Sequence, residues 1–358
     1  MQKIIVLILF TALCWSGFSS CKDREGAPEG NAVYYWRTGF SLSDKEREFL
    51  KDNDIQVLYL HLFDVVRNPQ KGLVPEATLS FNDSSAVRDI VRQGIKVVPV
   101  VFIDSKALDG DFNPDSLSGL IINRAERMLT LNGLPAPDEL QLDYDWREST
   151  RGKFFALVET ASKKMHVKDG RLSVTVRLHQ LSQPAPKADY GVLMVYNTGD
   201  FKNPDEQNSI LSLKSLQPYL SHLGSYKLPL ATALPVYSWN LAFNGDRFDM
   251  IARGININDT TLFRPIDAGH YRCMEYMAVQ SGANPSNMTG RMYPGTIIRH
   301  ELVHPDTIVE VLRRIQGYNP GALRRKVIYH LDENSLQQYD ENFFKTLYSV
   351  GSSDTRNK

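Results

Sequence analysis

The chain has 358 residues, with 41 lysines and arginines against 41 aspartates and glutamates. That balance excludes a dedicated nucleic-acid or anionic-membrane binder, because both need a basic surface. A hydrophobic share of 42%, with 16 Tyr and 16 Phe, supports a large core, in either one barrel of about 250 residues with insertions or two ordinary domains.

The first segment reads as a targeting signal. Lys3 supplies the positive start, and 4–15 is an apolar run too short to span a membrane. Phe18-Ser19-Ser20-Cys21 resembles a bacterial lipobox. That resemblance implies a signal peptide over 1–20, lipidation at Cys21 and anchoring to the bacterial outer membrane. Simple secretion with a free Cys21 is the alternative. Lys22-Asp23-Arg24-Glu25 resembles the charged export tag of surface lipoproteins in the Bacteroides group. Residues 21–32 are charged and contain Gly and Pro, which predicts a tether. With Cys14 removed and Cys21 lipidated, Cys273 has no partner for a disulfide. There is no C-x-x-C or His/Cys cluster, so no metal and no cofactor are expected.

Strand-like and helix-like segments then alternate. A strand over 33–40 precedes the capping box Ser43-Asp44-Lys45-Glu46. A long apolar strand covers 55–65, a helix 83–93 stops at Gly94, and 95–103 is a buried strand. Asn113-Pro114 opens a helix whose apolar positions Leu117, Leu120, Ile121, Met128 and Leu129 keep helical spacing up to Gly133. Residues 139–146 form the next strand, and Ser149 or Thr150 caps a helix running to about Met165. Strands over 171–178, 190–197 and 228–239 follow, with a helix over 212–224 between the last two. A helix from His304-Pro305-Asp306 to Gly317, a strand over 326–332 and a helix over 341–348 complete the pattern.

Eight strands with helical or irregular crossovers predict an α/β fold, a (β/α)8 TIM-type barrel over 33–350. An open doubly wound sheet is the runner-up, but no G-x-G-x-x-G or Walker pattern follows the first strand. The crossover 179–189 contains Pro184 and Pro186 and is expected to be irregular. Residues 244–303 are expected to form an insertion after the seventh strand, a lid or rim with a short hairpin. Residues 351–358 are expected to be a disordered tail.

The strand 139–146 is the most informative stretch. Leu140, Leu142, Tyr144 and Trp146 alternate with Gln141, Asp143, Asp145 and Arg147. Period two assigns the polar set to the barrel interior, where carboxylates must be paired or functional. The same alternation points Tyr59 and His61, Thr175 and Arg177, Met194 and Tyr196, Tyr237 and Trp239, and His330 and Asp332 inward, with His179 just beyond the fifth strand. These groups converge on the C-terminal mouth, where barrels of this class carry their sites. Blander readings stand beside these. Asp64 and Asp104 suit turns, His61 and His330 suit satisfied interior histidines, and Asp143–Arg177 suits a structural ion pair. Trp36, Trp146 and Trp239 suit packing, although Trp239 at the mouth also suits a sugar platform. His300-Glu301-Leu302-Val303-His304 looks metal-like, but Pro305 breaks the element, so it is discounted as a zinc-protease helix.

The strand containing Asp143 and Asp145 resembles that of family 18 glycoside hydrolases, whose signature there is Asp-x-x-Asp-x-Asp-x-Glu. Leu193-Met194-Val195-Tyr196-Asn197 resembles their Met-x-Tyr-Asp/Asn strand, and Ala233-Leu234-Pro235-Val236-Tyr237 resembles their Leu-Pro-x-Tyr-Gly strand. The chain departs from the family at Leu140, at Arg147 in place of the terminal Glu, and at Tyr329-His330-Leu331-Asp332, where a Trp is expected. It also resembles uncharacterised Bacteroides-type lipoproteins of a domain-of-unknown-function family, which implies no activity. The hydrolase resemblance implies catalytic roles for Asp143, Asp145 and Tyr196. Together with the inward parity above, it makes Arg147, Arg177, His179, Asn197, Tyr237, Trp239, His61 and Asp332 candidate sugar-binding residues. Arg147 keeps its proton at any ordinary pH and cannot replace a general acid.

Three functions follow. The first is a glycoside hydrolase with a relocated acid at Glu148, Asp332, Glu333 or Asp145. The second is a non-catalytic glycan-binding barrel, in which Arg147 and the aromatics hold a sugar and Asp143–Arg147 is structural. Arg147 would suit a carboxylated sugar. The third is a structural or assembly lipoprotein. The partners expected are a glycan or glycoconjugate and a membrane, with no nucleic acid.

Overall fold

The computed structural model describes residues 26–281 and 289–351. Cys21, the signal segment and the tail at 352–358 therefore lie outside the described residues. Eight parallel strands form the barrel: β1 (Gly30–Tyr35), β2 (Ile55–Asn68), β3 (Lys96–Ile103), β4 (Glu139–Asp143), β5 (Arg171–Arg177), β6 (Tyr190–Met194), β7 (Leu230–Pro235) and β8 (Arg325–Tyr329). Each pairs with the next, and β1 closes the ring by pairing β2 at Tyr34↔Tyr59 and β8 at Ala32↔Val327. This is the (β/α)8 barrel that the alternation predicted.

The outer ring comprises α1 (Asp44–Asp52), α2 (Ser84–Arg92), α3 (Pro114–Leu131), α4 (Glu148–Val167), α5 (Leu213–Leu223), α6 (Pro305–Tyr318), α7 (Glu333–Leu336) and α8 (Glu341–Ser349). Ser43 and Glu46 make the reciprocal capping box of α1, and Asn113 with Pro114 opens α3. Only a 3₁₀ turn, Leu178–Ser182, leads out of β5 toward Pro184 and Pro186, which lack amide donors.

Two apolar layers follow from period two. Leu140, Leu142, Tyr144 and Trp146 face outward with Phe154, Leu157 and Ala161 of α4 in the large outer core, and Trp146 stacks on Phe154 at 5.5 Å. The interior layer includes Ala32, Tyr34, Tyr59, Val100, Val192 and Val327. Its N-terminal end is plugged by polar groups. Glu139 accepts from Tyr190 Oη, Tyr59 and Tyr190 share a 2.6 Å hydrogen bond, and Arg325 donates to both hydroxyls at 3.0 Å. The cavity of the barrel opens at the opposite, C-terminal mouth.

Several boundaries differ from the sequence reading. The chain joins the fold before 33: Ala27 is buried, Glu29 pairs with Arg324 at 2.9 Å, and β1 begins at Gly30. Strand β2 runs past the mouth to Asn68 and folds back on Gly72–Glu76. Strand β7 ends at Pro235, and the insertion starts at Ser238. The insertion is a seven-stranded antiparallel sheet, Ser238–Asn244, Arg247–Arg253, Phe263–Asp267, His270–Cys273, Met277–Ser281, Thr289–Met292 and Ile297–Leu302, rather than one hairpin. It has a core of its own, including Ala242, Ala252, Phe263, Cys273 and Ile298. Trp239 accordingly belongs to the first insertion strand and not to the barrel.

Candidate binding site

A cavity of about 1400 Å³ occupies the mouth. Its floor comes from the ends of β4, β5 and β6. Asp143, the last residue of β4, is 4% exposed. Its Oδ1 accepts from Thr175 Oγ1 at 2.6 Å and from Arg177 Nη2 at 2.9 Å. Burial disfavours the charge of Arg177, but Asp143, Tyr196, Asp145 and Tyr34 together outweigh burial and raise the guanidinium pKa above its ordinary value. Tyr196 follows β6, stacks on Tyr329 at 5.1 Å and donates to Met194 Sδ at 2.9 Å. Burial pushes its hydroxyl well above the ordinary range, so it stays a neutral phenol. Asn197 holds φ +54, the left-handed region that Asn tolerates, and its Oδ1 accepts from Tyr237 Oη at 2.6 Å.

The rim carries Asp145 and His179, with Asp145 Oδ1 3.2 Å from Gln180 Nε2 and 3.4 Å from His179 Nε2. Both side chains are about half exposed. Asp332 lines the opposite side and caps α7 by accepting from Ser335 N at 3.1 Å. Aromatic rings link floor to rim. Trp36 meets Tyr329 at 6.0 Å, Tyr237 meets Trp239 at 5.8 Å, and Trp239 meets Phe201 at 5.8 Å. The insertion supplies the remaining wall with Asn240, Arg253, Asn256 and His300, whose Nδ1 lies 2.8 Å from Asn240 Oδ1.

The structure thus gathers Asp143, Asp145, Arg177, His179, Tyr196, Asn197, Tyr237, Trp239 and Asp332 around one space. Two expected binding residues are elsewhere. His61 is buried behind Trp36, stacked on its ring at 4.4 Å and bonded to Asp64 at 2.7 Å, so it is a satisfied interior histidine. Arg147 does not line the cavity. β4 ends at Asp143 and the chain turns into α4, so Arg147 becomes the residue preceding that helix and leaves the inward face. Its guanidinium bonds the Asp109 carboxylate and the Ser105 carbonyl, and Asp143 pairs with Arg177 instead. Among the relocated acids considered, Glu148 pairs with Arg151 and Glu333 approaches Lys45 at 3.8 Å; neither lines the cavity.

The eighth strand presents the opposite parity from the sequence reading. Its register with β1 turns Val327 and Tyr329 inward, and His330 and Asp332 follow after the strand ends. His330 still borders the cavity, and burial pushes its pKa down to about 4, leaving it neutral. Trp36 and the insertion wall were missed as site residues. Trp36 shares the inward parity of Tyr34, two residues earlier, which was a readable signal.

No family model matches the chain, and no curated protein matches it either. Solved structures do match. A chitinase from Chromobacterium violaceum superposes with a TM-score of 0.55 at 13% identity, over 91% of this chain and 99% of that one. Catalytic domain 2 of the Ostrinia furnacalis Group II chitinase, solved in complex with penta-N-acetylchitooctaose, gives 0.55 at 11%, over 92% and 97%. The spore cortex-lytic enzyme SleL of Bacillus megaterium gives 0.50 at 12%, over 89% and 75%. At these identities the likeness is one of fold, and the chain has the closed (β/α)8 barrel of solved chitinases.

Proposed function

We propose that this barrel captures a neutral oligosaccharide and does not hydrolyse it. The observation that carries this reading is the position of Arg147: where the resembled signature has its proton donor, a guanidinium is tied to Asp109 outside the cavity. The lining keeps what binding a sugar needs, which is buried phenols, a fixed ion pair and aromatic faces backed by polar rims. A volume of about 1400 Å³ exceeds the ~300–1,000 Å³ of ordinary small-ligand sites and suits a chain of sugars. On the β4–β5 side two carboxylates, Asp143 and Asp145, face one guanidinium, Arg177, a balance that disfavours a carboxylated sugar. With Arg147 outside, that earlier expectation loses its carrier. The insertion forms a wall and does not fill the mouth, which argues against a purely structural lipoprotein. The chitinase solved with a chitooligosaccharide supports a glycan as the ligand class.

A hydrolase with Asp145 as its acid is the second reading, favoured by the placement of that carboxylate at the rim beside His179. A glycan array on the purified protein, with a hydrolysis assay on each hit, separates the two. Binding without product supports capture. Product that disappears in Asp145→Asn supports the hydrolase, and no binding to any glycan sinks both. We also propose that Cys21 carries a lipid anchoring the protein to the outer membrane, in keeping with the Bacteroides-type lipoprotein resemblance. Labelling with a palmitate analogue tests this, and a label retained in Cys21→Ala refutes it.

A further inference from the structure

We propose that Glu301 is a positioning residue that sets the Trp239 platform at the cavity mouth, a role that rests on the glycan-capture reading. Trp239 and Glu301 are direct cross-strand partners in the antiparallel insertion sheet. The indole Nε1–H donates to Glu301 Oε2 at 2.8 Å. The same oxygen accepts from Ser209 N at 2.8 Å and Ser209 Oγ at 2.7 Å, and Oε1 accepts from Arg299 Nε at 2.7 Å. Arg299 in turn donates to the carbonyls of Asn203 at 2.7 Å, Pro204 at 3.1 Å and Phe201 at 3.2 Å. Both charged side chains are about 1% exposed. One buried ion pair therefore joins the loop after β6 to the first insertion strand.

A well-packed apolar pair is often equal or superior to a buried ion pair in stability, because desolvation offsets the attraction. What the ion pair adds here is direction. The carboxylate plane fixes the indole N–H, and Trp239 lines the cavity with its ring braced by Phe201 and Tyr237. An aromatic ring held in one orientation before binding loses little conformational freedom when a sugar stacks on it. The Trp146 Nε1–H, by contrast, has no hydrogen-bond partner.

The test is a double-mutant cycle on the dissociation constant for a glycan hit, using Trp239→Phe, Glu301→Asp and the double variant. Trp239→Phe keeps an aromatic face and removes the N–H; Glu301→Asp keeps the charge and shortens the reach. Each single change is expected to weaken binding about tenfold, and the double variant no more than either single one. Multiplied effects, or wild-type affinity in Glu301→Asp, overturn the proposal. A second readout needs no glycan. In 5-fluorotryptophan protein the ¹⁹F resonance of position 239, assigned by its loss in Trp239→Phe, is expected to shift in Glu301→Asp and in Glu301→Gln. No shift in either variant overturns the positioning role. A shift in wild-type-like folded protein that binds no glycan keeps the positioning role and refutes the capture reading alone.

Discussion

Replacing Asp143 with alanine separates a structural carboxylate from a dispensable one. The change removes the acceptor of Thr175 Oγ1 and the partner of Arg177. Leaving a buried charge without its partner costs about 3–5 kcal/mol. The Arg177 side chain is 25% exposed toward the cavity, so water solvates part of that charge and the lower end applies, about 3 kcal/mol. Thr175 is fully buried, and its orphaned hydroxyl adds about 1 kcal/mol. Urea unfolding followed by circular dichroism should therefore show Asp143→Ala about 3–4 kcal/mol less stable than wild type. Combining it with Arg177→Met removes the unpaired charge and should recover most of that loss. A single variant within about 1 kcal/mol of wild type, or a double variant markedly worse than the single, refutes the reasoning.

Other outcomes follow from the same structure. Lys326 is 3% exposed, and its Nζ donates to the carbonyls of Leu323 at 3.1 Å and Val350 at 2.8 Å; burial pushes its pKa down to about 8. The folded value lies below the unfolded one of about 10.4, so the charged amine destabilises the fold by about 3 kcal/mol below pH 8, and that penalty is relieved as pH rises. Wild-type stability measured relative to Lys326→Met should climb between about pH 8 and 10.4, and a flat difference would contradict this. Arg147→Glu should create no hydrolysis of any bound glycan, because position 147 faces Asp109 and Ser105 outside the cavity; released sugar in a product assay would refute the placement. Phe154→Ala should cost about 3–5 kcal/mol by opening the fully buried contact between α4 and Trp146. Its glycan preference should match wild type on the array, since the outer layer does not line the cavity.

The barrel was legible because alternation and helical spacing are local. Leu140, Leu142, Tyr144 and Trp146 announced an outward face, and the capping box at Ser43 and the Asn113-Pro114 start announced their helices. Convergence of Asp143, Arg177, Tyr196 and Tyr237 was legible too, since inward parity and strand ends together define a barrel mouth. The insertion was legible as a segment after the seventh strand, but its seven-stranded sheet was not, because the strands are short and the pairing of Ser238–Asn244 with Ile297–Leu302 joins residues far apart in sequence.

The sequence by itself determined the fold class, the inward identity of Asp143 and the lack of a carboxylic acid at position 147. Tertiary structure alone decided where each alternation stops. β4 ends at Asp143, so Asp145 reaches the rim while Arg147 turns out to Asp109. Closure of β8 against β1 set the parity that puts Tyr329, and not His330, on the interior face. A period of two specifies that neighbours face opposite ways, but only pairing with other strands says which face is in and when the strand has ended.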